Sequence, residues 1–511
     1  MFETEKSDIL KNVSKYNTVI IYGIGVWGNR ILNWLEEAGL SNRIVAVVDN
    51  NEGEKFDELM GSFRICKLEE VHVQYDAIII ASIINKVAIQ ERLDRYFASF
   101  TIKPIYIFIY SKATEKKYST EEYEKYLQYL QSRYSKKKTG FVGITKEEYL
   151  YQEGDPRIIA WYLPQYYTFE LNNRFHGTGF TEWTNTAQAI PLFCGHEQPH
   201  IPYDLGFYRL ENVATLYRQA ELARKYGIYG FCFHYYWFSG YRIMEQPLKM
   251  LLENKDINIH YCINWAMENW TVNWDGGKYD LMCKQNYTPS DVEKFMNDIL
   301  PFFGDERYIK IDGKPVIMFY RISAIGEENF LDMVARMREI SKHNGFPDIY
   351  VMVCDCDSFD YDVTCLGADA LVQYAPAKLY QNTKDLDIEG YIDPRFRGSI
   401  RDAKEMITSK RYLNEVSSKE YYRSALVGFD NTARRLQFTS FILHNMTAEL
   451  YKDWLKNIII ESRTIHTSEK NYVFVASWNE WAEGSHLEPD VLHGYAYLQA
   501  TKDALEECRE L

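Results

Sequence analysis

The sequence predicts an α/β chain with two domains: a small Rossmann-like doubly wound domain followed by a (β/α)8 TIM barrel. Three observations lead there. A β-branched run at residues 18–22 runs straight into Gly23, Gly25 and Gly28, then a helix-like stretch, then a second apolar run with Asp49 near its end. From residue 157 onward eight short apolar runs alternate with segments of helical periodicity. Between the two patterns lies a charged, Tyr-rich stretch, residues 112–140, whose Tyr123, Tyr126, Leu127, Leu130 and Tyr134 share one helical face. The expected boundaries are 1–111 for the first domain, 112–156 for a helical linker and 157–511 for the barrel.

In the first domain, strands are expected at residues 18–22, 44–51, 75–82 and 103–110. Glycines after the first strand allow a tight turn and the close approach of a phosphate to a helix N-terminus. An acid about 20 residues further on can hold ribose hydroxyls. Gly23, Gly25, Gly28 and Asp49 are therefore candidate cofactor contacts for a nucleotide or nucleotide-sugar. The same glycines also serve helix–strand packing, so a purely structural turn is the competing reading.

In the second domain the expected strands are Arg157–Leu163, Ile228–Tyr235, Asn258–Trp265, Pro315–Tyr320, Ile349–Cys354, Ala370–Tyr374, Ala425–Phe429 and Tyr472–Ser477. Helical segments include Val213–Tyr226, Asp291–Leu300, Glu327–His343 and Ala448–Ser462. Eight buried strands alternating with helices favour a barrel over a second open sheet, and a barrel carries its chemistry at the C-terminal strand ends.

Composition narrows the function. The 511 residues carry a formal net charge of −14, which disfavours nucleic-acid binding and an anionic membrane surface. Nine cysteines without framework spacing read as reduced thiols, and Cys354 and Cys356 lack a second pair for a zinc site, so no metal is expected. The polar N-terminus and the lack of an apolar run of about 20 residues predict a cytoplasmic chain with no transmembrane segment. Tyr, Phe and Trp number 41, 27 and 11; aromatic faces pack cores and also stack on sugar rings.

The expected strand ends gather polar and aromatic groups at one rim: Tyr162 and Gln165; His234, Tyr235 and Trp237; Asn264, Trp265, Glu268 and Trp270; Tyr320; Asp355 and Asp357; Asp430; and Trp478, Asn479, Glu480 and Glu483. Stacking platforms beside amides and acids are what a sugar site requires. Glu480 and Glu483 are the sharpest pair, because a turn after the last strand would set both on one side. Desolvation by Trp478, Trp481 and Ala482 would raise a carboxyl pKa, as acid–base work demands. Glu182, followed by Trp183, and Glu268 compete as acids, though binding of hydroxyls is favoured for both. His234 reads equally as a ligand or a satisfied core residue. Arg434 and Arg435 read as an anion site or as half of a buried Arg–Asp pair. A kinase loop, a serine-hydrolase elbow and a zinc-protease pair are all missing from the sequence.

Several segments occur together in one order: Tyr162-Leu163-Pro164-Gln165-Tyr166, Gly179-Phe180-Thr181-Glu182-Trp183-Thr184-Asn185, His234-Tyr235-Tyr236-Trp237-Phe238, Glu268-Asn269-Trp270, Trp274-Asp275-Gly276 and Trp478-Asn479-Glu480-Trp481-Ala482-Glu483-Gly484. Over roughly residues 157–500 this resembles the WbsX-like family of surface-polysaccharide biosynthesis proteins, related to the family 99 glycoside hydrolases. The resemblance implies a retaining, endo-α-mannosidase-type reaction on an α-linked mannose-type glycan. It implies that Glu480 is the base assisting the sugar's own 2-hydroxyl and that Glu483 is the general acid/base. No cofactor is implied for the barrel. Tyr167, Phe175-His176, Met267, Phe429 and Ala433 depart from the family pattern at presumed substrate loops. Three functions follow for the chain: a glycoside hydrolase of polysaccharide or O-antigen processing, a retaining glycosyltransferase with a sugar acceptor, or a non-catalytic glycan-binding barrel.

Overall fold

A computed structural model describes residues 3–23, 26–49, 59–60, 63–81, 86–100, 103–108, 140–271, 281–356, 362–379, 398–414, 420–435 and 440–510, with a few isolated positions between. The expected linker helix and the Trp274-Asp275-Gly276 segment lie outside the described residues, as does Gly25. The chain divides into two compact units, Met1–Ser119 and Thr120–Leu511.

The first unit contains α1 (Glu3–Val13), β1 (Val19–Tyr22), α2 (Val26–Glu37), β2 (Ile44–Val48), β3 (Leu59–Met60), β4 (Phe63–Cys66), β5 (Ala77–Ile80), α3 (Lys86–Tyr96) and β6 (Ile105–Phe108). Their sheet order is β3-β4-β2-β1-β5-β6, with every pair parallel except β3–β4. Period-two alternation gives it two cores. Val19, Ile21, Val47 and Ile79 pack with Ile9, Ile31 and Leu35 of α1 and α2, while Ile20, Val48, Ile78 and Ile80 pack with Leu93 of α3. Strand order reverses between β1 and β5, the switch point of a doubly wound sheet. Gly23 sits there with φ +112°, and a Cβ on it would lie 3.3 Å from the Ala81 carbonyl oxygen, so backbone geometry alone calls for glycine. Gly28 is buried inside α2, and Asp49 is buried at the end of β2 with its N–H bonded to the Cys66 carbonyl at 3.1 Å. Strand β4 escaped the sequence reading because four residues interrupted by Arg64 show no apolar run.

The second unit contains β7 (Arg157–Tyr162), α4 (Glu182–Gln188), α5 (Val213–Lys225), β8 (Ile228–Phe238), β9 (His260–Ala266), α6 (Pro289–Phe303), β10 (Lys314–Tyr320), α7 (Glu327–His343), β11 (Tyr350–Cys354), β12 (Ala370–Val372), β13 (Tyr421–Tyr422), β14 (Ser424–Leu426), α8 (Ala448–Ile465), β15 (Tyr472–Ala476) and α9 (Ala496–Glu507). Parallel pairing runs β13-β12-β11-β10-β9-β8-β7-β15-β14. Only Arg423 separates β13 from β14, so the two are halves of one strand, and the eight-stranded ring closes through it. Tyr422 pairs with Val372 on one side and Leu426 with Ala476 on the other. Arg423 turns outward to grip Glu461 of α8 at 2.7 and 2.8 Å. This strand was expected at 425–429 and lies four residues earlier, since beyond Leu426 the chain already leaves the sheet.

Gly230 sets the spacing of β8 and β9. A Cβ there would come 2.6 Å from the carbonyl oxygen of His260, its direct register partner. Gly230→Ala must therefore push these central strands away from each other. We expect a loss of about 1–3 kcal/mol in denaturant unfolding of the barrel, the usual cost of overpacking. Unchanged stability would show that the strands separate freely.

Candidate active site

The site grows from the exits of the seventh and eighth strands. After β15 the chain forms a small antiparallel hairpin in which Asn479 faces His486 and Glu480 faces Ser485. A 3-10 turn, Trp481–Glu483, joins its arms, so two glutamates three residues apart lie on one side of a turn rather than on opposite faces of a strand. Gly484 closes the turn at φ +58°, where a Cβ would press on Asp430 at 3.1 Å. After the seventh strand, Asp430 caps a second 3-10 turn, Asn431–Ala433, by accepting from the Thr432 N–H at 3.0 Å. The Asp430 N–H donates to the Glu483 carbonyl at 2.6 Å, clasping the two turns together. A Cβ on Gly428 would meet the Gly484 carbonyl oxygen at 2.8 Å, so glycine is needed there too.

Arg434 follows this second turn and is the hub of the site. Its guanidinium donates to Glu182 Oε2 at 3.0 Å, to Glu480 Oε2 at 2.8 Å and to Glu483 Oε1 at 2.6 Å. Three carboxylates from two different loops thus converge on one planar cation. Glu182 is fully buried at the start of α4, and its other oxygen accepts from Asn185 at 3.1 Å. Burial pushes the Glu480 carboxyl up to about 8; Glu483 and Glu182 add to the rise and Arg434 opposes it. Burial opposes the charge of Arg434, but Glu182, Glu480 and Glu483 outweigh it and hold the guanidinium protonated. The sequence offered two roles for this arginine, an anion site or an Arg–Asp pair; its partners are three glutamates.

Around this hub stand His234, whose Nε2 lies 3.9 Å from Glu480 Oε1, and the ring of Tyr236. Tyr320 feels the charges of Glu268 and Glu483, and Tyr374 that of Glu480. Glu268 pairs with Arg321 at 2.6 Å, and Trp270 lies within 6.0 Å of the Tyr236 ring. Gln165 and Asn264 are fully buried at their strand ends with both side-chain polar atoms unpartnered among the described residues.

Other expected contacts sit elsewhere, four of them because strand alternation turns them outward. Strand β8 continues to Phe238 instead of ending at Tyr235, so alternation persists through the aromatic segment. His234 and Tyr236 point to the barrel axis, while Tyr235 and Trp237 point out to α6, bonding Asp298 and Asp291. Trp265 likewise stacks on Phe295 of α6 at 3.9 Å, and Tyr162 donates to Gln219 of α5 at 2.8 Å. These four belong to the strand–helix interface and do not line the mouth. Trp478 is buried against Phe231. Asn479 staples the hairpin to β7, accepting from the Leu163 N–H at 2.7 Å and donating to its carbonyl at 3.0 Å. Trp183 donates to the Tyr208 carbonyl and packs under Trp481. Asp430, read as a sugar contact, has both oxygens engaged by His196, Gln198 and Thr432. It positions Arg434. Asp355 pairs with Lys378 and Tyr421, and Asp357 lies outside the described residues.

The profile of the family described as Glycosyltransferase WbsX matches residues 158–501, which include every group of this site. The chain belongs to that family. Residues 15–99 match a second profile, described as C2185-like, N-terminal. Uncharacterized proteins WxcX from two strains of Xanthomonas campestris pv. campestris are 32% identical over 351 residues, 68% of this chain and 49% of theirs. The chain thus spans about half the length of the curated relatives it matches. Among solved structures, a GH99 endo-alpha-mannosidase from Bacteroides thetaiotaomicron shares 18% identity at a TM-score of 0.44, covering 69% of this chain and 97% of its own. A glycoside hydrolase-like protein shares 14% identity at the same score, covering 72% and 98%.

The raised Glu480 carboxyl has a consequence for stability. It keeps its proton to about pH 8 when folded and only to about 4.5 when unfolded. Between these values the native state binds more protons, so this group's contribution to stability falls as pH rises. Glu480→Gln should gain on the parent from about pH 4.5 upward and level off above about 8. Denaturant unfolding at pH 5, 7 and 9 reads the trend; a pH-independent difference would contradict it.

Proposed function

We propose that the barrel breaks an α-linked mannose-type glycosidic bond with retention, Glu480 acting as base and Glu483 as acid. The observation that carries this is the single turn that presents both glutamates to one guanidinium. A sugar hydroxyl is a poor acid, so its base gains strength from a raised pKa, provided a deprotonated fraction survives near the working pH. Burial raises Glu480 and Arg434 restrains the rise, which supports the base role. The Glu483 side chain is 28% exposed against 10% for Glu480, which supports an acid that reaches a leaving-group oxygen and is reprotonated by solvent. His234 and the amides of Gln165 and Asn264, unpartnered among the described residues, would receive hydroxyls. The substrate is a glycan of surface polysaccharide or O-antigen assembly.

Water as acceptor gives a hydrolase and a sugar hydroxyl gives a transferase, with the same two carboxyls. The family description favours the sugar acceptor. Running the reaction on α-mannosyl oligosaccharides with and without added acceptor, with anomers followed by NMR, separates the two.

Glu480→Gln and Glu483→Gln should each lower turnover of an unactivated glycoside by roughly a hundredfold or more. The double variant should cost far less than the product of the singles, since both serve one step. A glycosyl fluoride, which needs no acid, should restore the bond-breaking first step of Glu483→Gln, read as a burst of released fluoride, and leave that step impaired in Glu480→Gln. Parental turnover of the unactivated glycoside by Glu483→Gln would remove the acid assignment. Full activity in both single variants would place the chemistry elsewhere on the rim.

A further inference from the structure

The hairpin that bears the two glutamates carries a second cluster of chemistry-bearing groups on its far arm. His200, from the loop before α5, and His486 and Asp490 each offer a ligand atom, and these atoms lie within 4.8 Å of one another. We propose that they form a binding site for one divalent transition-metal cation of the zinc type, which braces the hairpin from behind.

The arrangement of the imidazoles supports this. His486 Nδ1 meets the Glu488 carbonyl at 2.9 Å, so it carries the proton there and leaves the lone pair on Nε2. That tautomer is the one a metal-ligating histidine takes when a backbone carbonyl orients its other nitrogen. His486 Nε2 faces His200 Nδ1 at 2.8 Å, and Asp490 Oδ2 stands 4.0 Å from the same Nε2. Two nitrogens on a tetrahedral zinc with bonds of about 2.05 Å lie about 3.3 Å apart. Opening the two rings by about half an ångström therefore turns the hydrogen-bonded pair into a ligand pair. Asp490 is held for the task as well: Oδ1 accepts from the N–H groups of Leu492 and His493 at 2.7 and 2.6 Å, and Oδ2 from His493 Nδ1 at 3.1 Å.

Two imidazole nitrogens and one carboxylate oxygen are a donor set that suits a divalent cation of the zinc type. His200 is only partly buried, which leaves a route for the ion.

The location gives the site its purpose. His486 is the register partner of Asn479, and its ring stacks on Trp481 at 3.8 Å with 13° between planes. A cation on His486 would fix the arm opposite Glu480 and the aromatic that opens the turn to Glu483. It touches no reacting atom, so its role is positional and it stands whether or not the glycosidic reading holds.

Nine cysteine thiols could also take up zinc, so the test uses Co2+ and its absorption spectrum. The full chain, stripped with a chelator and dialysed, should bind one equivalent of Co2+ with visible d–d bands and without the intense near-ultraviolet thiolate-to-cobalt band. Zn2+ should displace it and raise the melting temperature in a concentration-dependent way. His200→Gln and His486→Gln should each weaken binding by more than the roughly 10–100-fold that loss of an outer partner costs. His200→Gln, at the partly exposed position, keeps the test valid should His486→Gln misfold. Absence of stoichiometric binding, a thiolate spectrum, or equal affinity in His200→Gln would overturn the proposal.

Discussion

One guanidinium holds this site together. Arg434 sits between carboxylates from the first and eighth strand exits, and each of its three nitrogens has its own acceptor. Without it, Glu182, Glu480 and Glu483 would be like charges in a buried space, and such groups neutralise by taking up protons. With it, the trio is bound in geometry, and the same guanidinium opposes the rise that burial imposes on the Glu480 carboxyl. Much of the surrounding architecture serves to deliver Arg434. Asp430 caps the turn before it, His196 and Gln198 hold Asp430, and Gly428 and Gly484 let the two loops meet backbone to backbone.

Beneath the hub, the barrel supplies the fixed points. Asn479 ties the eighth strand exit to the first through both backbone groups of Leu163, and Tyr166 donates to the Asn479 carbonyl at 2.5 Å. Glu488 is buried below the hairpin, where Trp481, Tyr208 and Gln219 donate to it. Burial pushes its carboxyl up to about 7, against the pull of those donors. The hairpin that carries Glu480 and Glu483 is thus pinned by buried polar bonds to the chain just after β7, to the loop before α5 and to α5 itself. That is how a loop can hold reactive groups at fixed distances.

Much of this was legible in the sequence. Eight apolar runs gave the ring, and β-branched composition placed most of the strands within a few residues. The glutamate pair stood out because two acids three apart sit in an apolar, tryptophan-rich exit. Two kinds of information were not local. Tyr162, Tyr235, Trp237 and Trp265 look like sugar platforms when each strand is taken to stop at its aromatic end. In β8 the strand runs on from Tyr235 to Phe238, and the unbroken alternation sends Tyr235 and Trp237 to the helices, as it does Tyr162 and Trp265 in their own strands. Arg434 could not be assigned a partner, because its glutamates lie 46, 49 and 252 residues away in the chain. Likewise, Tyr421–Tyr422 is too short to show a pattern, so the seventh strand was expected only from Ala425, and its neighbours reveal the two halves as one strand.

The central claim is that Arg434 sets the working charge of Glu480, and a pH–rate profile of Arg434→Met tests it most directly. An opposite charge at hydrogen-bond distance lowers a carboxyl pKa by about 1–3 units. Removing it should move the acidic limb of kcat/KM to higher pH by about that much, with Arg434→Lys restoring part of the shift. An acidic limb that stays at the parental pH in Arg434→Met would contradict the account.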